Sequence, residues 1–250
     1  MARSFWQIVN KVISDADVLL MVLDARMPDQ TRNTEIEEKV RAAGKPLIYV
    51  LTKCDLVPKH AVEKTKKQLR PAVFVSALKH YGTTMLRTQI LVEAKRAGKD
   101  TKKVVVGILG YPNVGKSSLI NALKGARSAP ASSISGYTKG VQRVKADNRI
   151  MLLDTPGVLP YKEQSDQKHA TIGAVDATQV KHPDVTVQRM MKQFPGVIEG
   201  HYGIDVQHDA YHTLEQIAVQ QHVIKKGNEP DTDRMARRIL KAWQSGKIRH

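Results

Sequence analysis

The chain has 250 residues, 41% of them hydrophobic, which suits one globular domain with room for a small second one. Its single cysteine, Cys54, excludes an internal disulfide framework and a multi-cysteine metal site and suggests a reducing compartment. A formal net charge of +16 favours a polyanionic partner such as RNA.

The first residues, MARSFWQIVNKV, alternate polar with apolar and offer no signal-peptide core. The longest purely apolar run, Val18 to Leu23, is far short of the roughly 20 residues that span a membrane. A cytoplasmic monomer without a membrane partner is expected. Apolar, β-branched runs predict strands over 17–25, 46–52, 72–77, 103–110 and 149–155, and amphipathic stretches predict helices over 34–43, 58–69, 82–95 and 116–123. This alternation is that of a mostly parallel sheet covered by helices, and strands apolar at nearly every position are buried on both faces. The polar stretch RAGKDTKK, 96–103, reads as a connector between two blocks of one domain. Up to residue 170 there are 29 basic against 15 acidic residues, and 11 against 9 thereafter. The excess clusters at Lys59, Lys64, Lys66, Lys67 and Arg70, then at Lys95, Arg96, Lys99, Lys102 and Lys103, where the plain alternative is a solvated lysine face.

The strongest chemical signal is GYPNVGKSSL, a full match to the phosphate-loop pattern, placed after an apolar strand and before a helical stretch. Gly110 and Gly115 let backbone N–H groups wrap phosphates, and the helix that follows directs its positive end at them. The expected contacts come from Asn113, Val114, Gly115, Lys116, Ser117 and Ser118, with Lys116 bridging the β- and γ-phosphates and Ser117 ligating Mg²⁺. Further on, LLDTPGV brings Asp154 to the Mg²⁺ site and Gly157 to the γ-phosphate. In SSISGYTKG, Thr138 is the expected cap on Mg²⁺ and the γ-phosphate, with Ser132, Ser133 and Ser135 as competitors. The catalytic set is then Lys116, Thr138 and Gly157.

The stretch LTKCDL stands earlier in the chain, and its Thr52, Lys53, Cys54 and Asp55 resemble the TKxD variant of the guanine-reading motif of GTPases. Ser76, Ala77 and Leu78 resemble the loop whose amides close over the base. Both motifs ordinarily follow the phosphate loop, so the elements stand in rotated order, as after a circular permutation in which RAGKDTKK joins the old chain ends. With DARMPDQTRN, GYTKG and GNEPDTDRMARRILKAWQSGKI, the set resembles the circularly permuted GTPases of the YlqF/YawG family, proteins associated with large ribosomal subunit assembly. The resemblance implies an α/β fold, a circularly permuted P-loop GTPase domain, with GTP or GDP and Mg²⁺ as cofactors and slow hydrolysis stimulated by K⁺, a ribosomal particle or both. Thr52 replaces the more usual asparagine, and a weakened contact with the phosphate loop is expected. The N-terminal Gly-His element of some members is absent from the sequence. Val158 stands where many GTPases have a water-orienting glutamine, and a valine cannot orient water. Asn113 is the candidate K⁺ ligand; the plain reading is a turn asparagine after Pro112.

A domain boundary is expected near residue 174, with a small helical domain over 175–250 that binds ribosomal RNA or a large-subunit precursor. Within it, Arg234, Arg237, Arg238 and Lys241 fall at i, i+3, i+4 and i+7 on one helix face, while Met235, Ile239, Ala242 and Trp243 face inward. Two function classes follow. One is a GTP-hydrolysing assembly factor; the other is an RNA-binding module whose nucleotide is structural and is not turned over.

Overall fold

In the computed structural model, which describes residues 2–125, 141–155 and 166–249, the chain opens with a helix that the sequence did not suggest, α1 (Ala2–Asp15). Val9, Val12, Ile13 and Ala16 recur at helical spacing and are buried together, so α1 is held by its apolar face. It is followed by β1 (Val18–Asp24), α2 (Pro28–Thr31), α3 (Thr34–Ala42), β2 (Leu47–Thr52), α4 (Lys59–Gln68), β3 (Ala72–Phe74) and α5 (Thr83–Arg96). The second block holds β4 (Val104–Leu109), α6 (Lys116–Lys124), β5 (Gln142–Lys145) and β6 (Ile150–Asp154). The described strands form one six-stranded sheet in the order β3-β2-β1-β4-β6-β5, parallel except for β5, which runs antiparallel to β6.

Every residue of β1 is buried, as expected of a mid-sheet strand that is apolar at all but its last position. Leu19, Met21 and Leu23 pack with α1 and with Ile36 and Val40 of α3, while Val18, Leu20 and Val22 point to the opposite face. Full burial of such side chains contributes about 1.5 to 3 kcal/mol each. The polar side chain of Asn33 starts α3 by accepting the amide of Ile36 at 3.2 Å. The strand β5, QRVK, was not expected, because three of its four residues are exposed and nothing apolar alternates along it.

The second compact unit is Ser165–His250, built from α7 (Asp166–Thr171), α8 (Pro183–Gln193), α9 (Val197–Tyr202), α10 (Ala210–Gln220) and α11 (Thr232–Gln244). It begins some residues ahead of 174 because α7 packs on α8. All four other helices touch α8, and Trp243 of α11 stacks on Phe194 at 5.3 Å between ring centres. No helix among the described residues is long and apolar enough to cross a membrane.

Gly107 in β4 fixes how close α1 can come to the sheet. A Cβ there would lie 2.7 Å from both Leu19 Cδ1 and Val12 Cγ1, and 3.2 Å from Ala16 Cβ. Gly107→Ala is expected to lower unfolding free energy by about 1 to 3 kcal/mol in urea titrations. Adding Val12→Ala should recover part of that loss, whereas strictly additive losses would show that α1 is free to shift.

Candidate functional site

Because β1, β2, β3, β4 and β6 are parallel, their C-terminal ends share one edge, where open α/β sheets bind ligands. That edge collects Asp24, the Thr52–Asp55 motif, Ser76, the phosphate loop and Asp154. The nucleotide-site residues expected from both blocks of the sheet domain therefore lie along one edge, apart from Thr138 and Gly157, which, like Val158, lie outside the described residues.

The phosphate loop takes the conformations its sequence allows. Gly110 and Gly115 have φ of 151° and 99°, and Asn113 takes the left-handed region at 60°, a region asparagine tolerates better than most residues. A Cβ on Gly110 would sit 2.5 Å from the carbonyl oxygen of Val22, so the loop also needs glycine for close approach to β1. Tyr111 and Val114 are buried anchors, while Ser117 and Ser118 are exposed at the start of α6. Lys116 Nζ donates to the carbonyls of Gly110 at 3.1 Å and Tyr111 at 2.6 Å. Its burial lowers the ammonium pKa to about 8, with the charge of Asp154 pulling the other way.

The Thr52–Asp55 motif is tied to this loop. Thr52 Oγ1 lies within donating reach of the Val114 carbonyl and of the Leu23 carbonyl at 2.9 Å, with one proton to share between them. The motif keeps a buried contact with the loop, because β2 ends close enough beneath it for a hydroxyl on a short stem to reach. Lys53, in the left-handed region at φ 56°, donates to the Asn113 carbonyl at 3.1 Å and pairs with Asp24 at 2.9 Å. Burial depresses the Lys53 ammonium and Arg26 adds to this, against the pull of Asp24. Cys54–Leu56 form one turn of 3-10 helix that presents Asp55, half-buried. Burial first, and then Asp55, push the Cys54 thiol up to about 11, so it stays protonated near neutrality. In the neighbouring loop Ser76 Oγ accepts the amide of Lys79 at 3.1 Å and Ser76 pairs with Tyr81 through both backbone groups, holding Ala77 half-buried and leaving Leu78 78% exposed.

Asp24 and Arg26 had no role assigned from the sequence. The signal was there: an acid closing an all-apolar strand, with an arginine two residues on. Beyond β6, Thr155 is buried and donates to the Ile108 carbonyl at 2.6 Å, which fixes Asp154 beside the phosphate loop. Ser117 and Asp154 are hard oxygen donors suited to Mg²⁺, and no group of three His, Cys, Asp or Glu among the described residues could hold an ion alone. An ion held here would take its other positions from phosphate oxygens and water.

In the second unit α11 is strongly two-sided. Met235, Ala236, Ile239, Leu240 and Trp243 are buried, and Arg234, Arg238 and Lys241 are exposed. Arg237 differs from the other three. It donates to Asp233 at 2.9 Å and to the carbonyls of Ala177 and Thr178 at 3.0 Å each, so it braces the chain ahead of α8.

A base-reading motif bonded to a phosphate loop at the edge of a parallel sheet, with the base half first in the chain, defines a circularly permuted P-loop GTPase domain. The profile of the 50S ribosome-binding GTPases matches residues 105–245, beginning at β4, where the second block begins. The chain belongs to this family. It is similar to an uncharacterized GTP-binding protein of Methanocaldococcus jannaschii, 43% identical over 98% of this chain and 66% of that protein. It is also similar to Nucleolar GTP-binding protein 2 of Saccharomyces cerevisiae, 35% identical over 99% of this chain and 52% of that protein. The chain thus spans about half to two thirds of the length of these curated relatives. Among solved structures, GNP-bound YlqF from T. maritima shares the fold with a TM-score of 0.66 and 24% identity, over 98% of this chain and 94% of that one.

The lysine chemistry gives a pH test. An amine with a pKa near 8 is mostly neutral by about pH 9, and phosphate held against it restores the proton, so affinity should fall as pH rises above about 8. Calorimetry of GDP binding near that upper pH, in two buffers of different ionisation heat, should report an uptake approaching about one proton. Lys116→Arg should bind without that uptake, because a guanidinium stays charged.

Proposed function

We propose that the protein is a GTP-hydrolysing assembly factor for the large ribosomal subunit, a cytoplasmic monomer whose nucleotide state is coupled to binding of ribosomal RNA. The observation that carries this reading is the bonding of Thr52 and Lys53 to the carbonyls of Val114 and Asn113, which makes the base and phosphate motifs one site. The family description and the word nucleolar in the relatives' names support the ribosomal part.

In this reading Asp55 accepts hydrogen bonds from the guanine N1–H and amine, and the loop of Ser76, Ala77 and Leu78 closes over the base. Backbone amides of the phosphate loop and Lys116 hold the β- and γ-phosphates, with Gly157 and Thr138 at the γ-phosphate. Ser117, Thr138 and Asp154 would hold Mg²⁺, which would supply charge neutralisation at the phosphates. Water attacks the γ-phosphorus, the bond to the β–γ bridging oxygen breaks, GDP leaves with that electron pair, and the proton of the water passes to the released phosphate. With Val158 unable to orient that water, stimulation comes from outside, from the ribosomal particle or from K⁺ held at Asn113. In α11, Arg234, Arg238 and Lys241 contact RNA phosphates, while Arg237 works through the brace described above.

Val158 also favours a second reading, an RNA-binding module with a structural nucleotide. Phosphate release measured with Na⁺ or K⁺, with and without large-subunit particles, separates the two. The enzyme reading predicts stimulation in at least one arm; the module reading predicts none.

Asp55→Asn is expected to weaken GTP binding and shift preference toward xanthine nucleotides, whose carbonyl can accept from the new amide. Equal wild-type affinity for ATP and GTP would remove the role given to Asp55. Replacing Arg234, Arg238 and Lys241 by glutamine should flatten the salt dependence of RNA binding by roughly 0.7 to 0.9 in log–log slope for each phosphate the helix no longer holds. A slope that stays at its wild-type value would leave α11 a solvated face. Arg237→Gln should instead lower the melting temperature of the protein.

A further inference from the structure

Against the Lys53 ammonium lies a buried ion cluster whose other members, Asp24 and Arg26, have no part in the roles above. Asp24 ends β1, the strand that separates β2 from β4, and is 2% exposed. Its Oδ1 accepts from the Arg26 amide and Nε, both at 3.0 Å, and its Oδ2 accepts from Arg26 Nη2 at 2.7 Å and Lys53 Nζ at 2.9 Å. Its own amide donates to Thr31 Oγ1 at 3.1 Å, which fastens the turn beyond β1. Burial alone would push the carboxyl up, but Lys53 and Arg26 outweigh it and hold it well below the usual carboxylate range, so the anion persists at any working pH. Arg26, at 6% exposed, has little freedom to leave. Lys53 links the cluster to the phosphate loop through its bond to the Asn113 carbonyl.

We propose that Asp24 is a positioning residue: it fixes the Lys53 ammonium against the Asn113 carbonyl, so that the base half of the site sets the shape of the phosphate loop. Without the carboxylate, Lys53 would face the Arg26 guanidinium across a buried space, and like charges there would drive the ammonium away from the loop. The cluster therefore couples grip on the base to grip on the phosphates. This rests on the nucleotide site proposed above.

The test is a double-mutant cycle on GDP affinity with Asp24→Asn and Lys53→Met, read by calorimetry, with pyrophosphate as a second ligand. Asp24→Asn should cost on the order of tenfold in GDP affinity. It should weaken pyrophosphate as well, because the loop itself has changed. In the Lys53→Met background the same substitution should cost less than about twofold, since Asp24 acts through that ammonium. Equal losses in both backgrounds would make Asp24 a merely structural acid and overturn the proposal. Should Asp24→Asn fail to fold, Lys53→Met alone decides: loss of GDP affinity with pyrophosphate affinity intact overturns it, and parallel losses support it. A wild-type chain that binds no GDP would sink the site and this proposal together, whereas additive losses in a chain that binds GDP sink the proposal alone.

Discussion

A strand with no solvent-facing side governs this molecule. With both its faces buried, β1 must lie inside the sheet, and the strands on either side of it, β2 and β4, must then end at the same edge. Residues 62 positions apart in the chain, Thr52 and Val114, meet across it as a consequence. The close approaches at Gly107 and Gly110 belong to the same constraint, because each lets another part of the chain settle against β1 or its neighbour without a side chain in between.

Such an arrangement is indifferent to the order in which the chain supplies its pieces. The contacts that assemble the site are lateral, between strand ends, and none depends on a covalent link from β3 to β4. That link, the segment between α5 and β4, is held where it is needed: Lys102 N bonds Asp100 at 2.8 Å, and Asp17 Oδ2 accepts the amide of Val105 at 2.9 Å as β4 begins. A polar connector anchored at its exit can replace an ordinary loop without disturbing the packed layers on either side of it.

The parts of this design with strong chemical requirements were readable in the sequence. Five strands were visible because burial on both faces leaves an unbroken apolar run, and the phosphate loop was visible because only glycine and a short hydroxyl suit its geometry. The base motif could be recognised by residue type and was made convincing by its company. Helix α1 was missed, although its buried Val9, Val12 and Ile13 stand at helical spacing, because the polar and apolar residues there also pass for a simple alternation, and β5 was missed as an edge strand with little to bury. At Thr52 the pattern gave no sign of how near β2 passes beneath the loop. At Arg237, helical spacing grouped four cations, but spacing along one helix says nothing about the carbonyls of Ala177 and Thr178 supplied from elsewhere in the chain. Asp24 escaped notice because a lone acid at a strand end is common, and its partners become evident only once β2 is laid beside β1.

Among the described residues, the two outer strands of the sheet are its shortest, three residues in β3 and four in β5, and Arg143 and Lys145 of β5 are exposed. A free strand edge invites pairing with another chain, and short, charged edges are the common defence against it. Short strands at the margins of the described sheet limit such pairing. Lengthening β5 with β-branched residues in place of those cations would remove that limit, and the protein's solubility at high concentration would then depend on its surface charge alone.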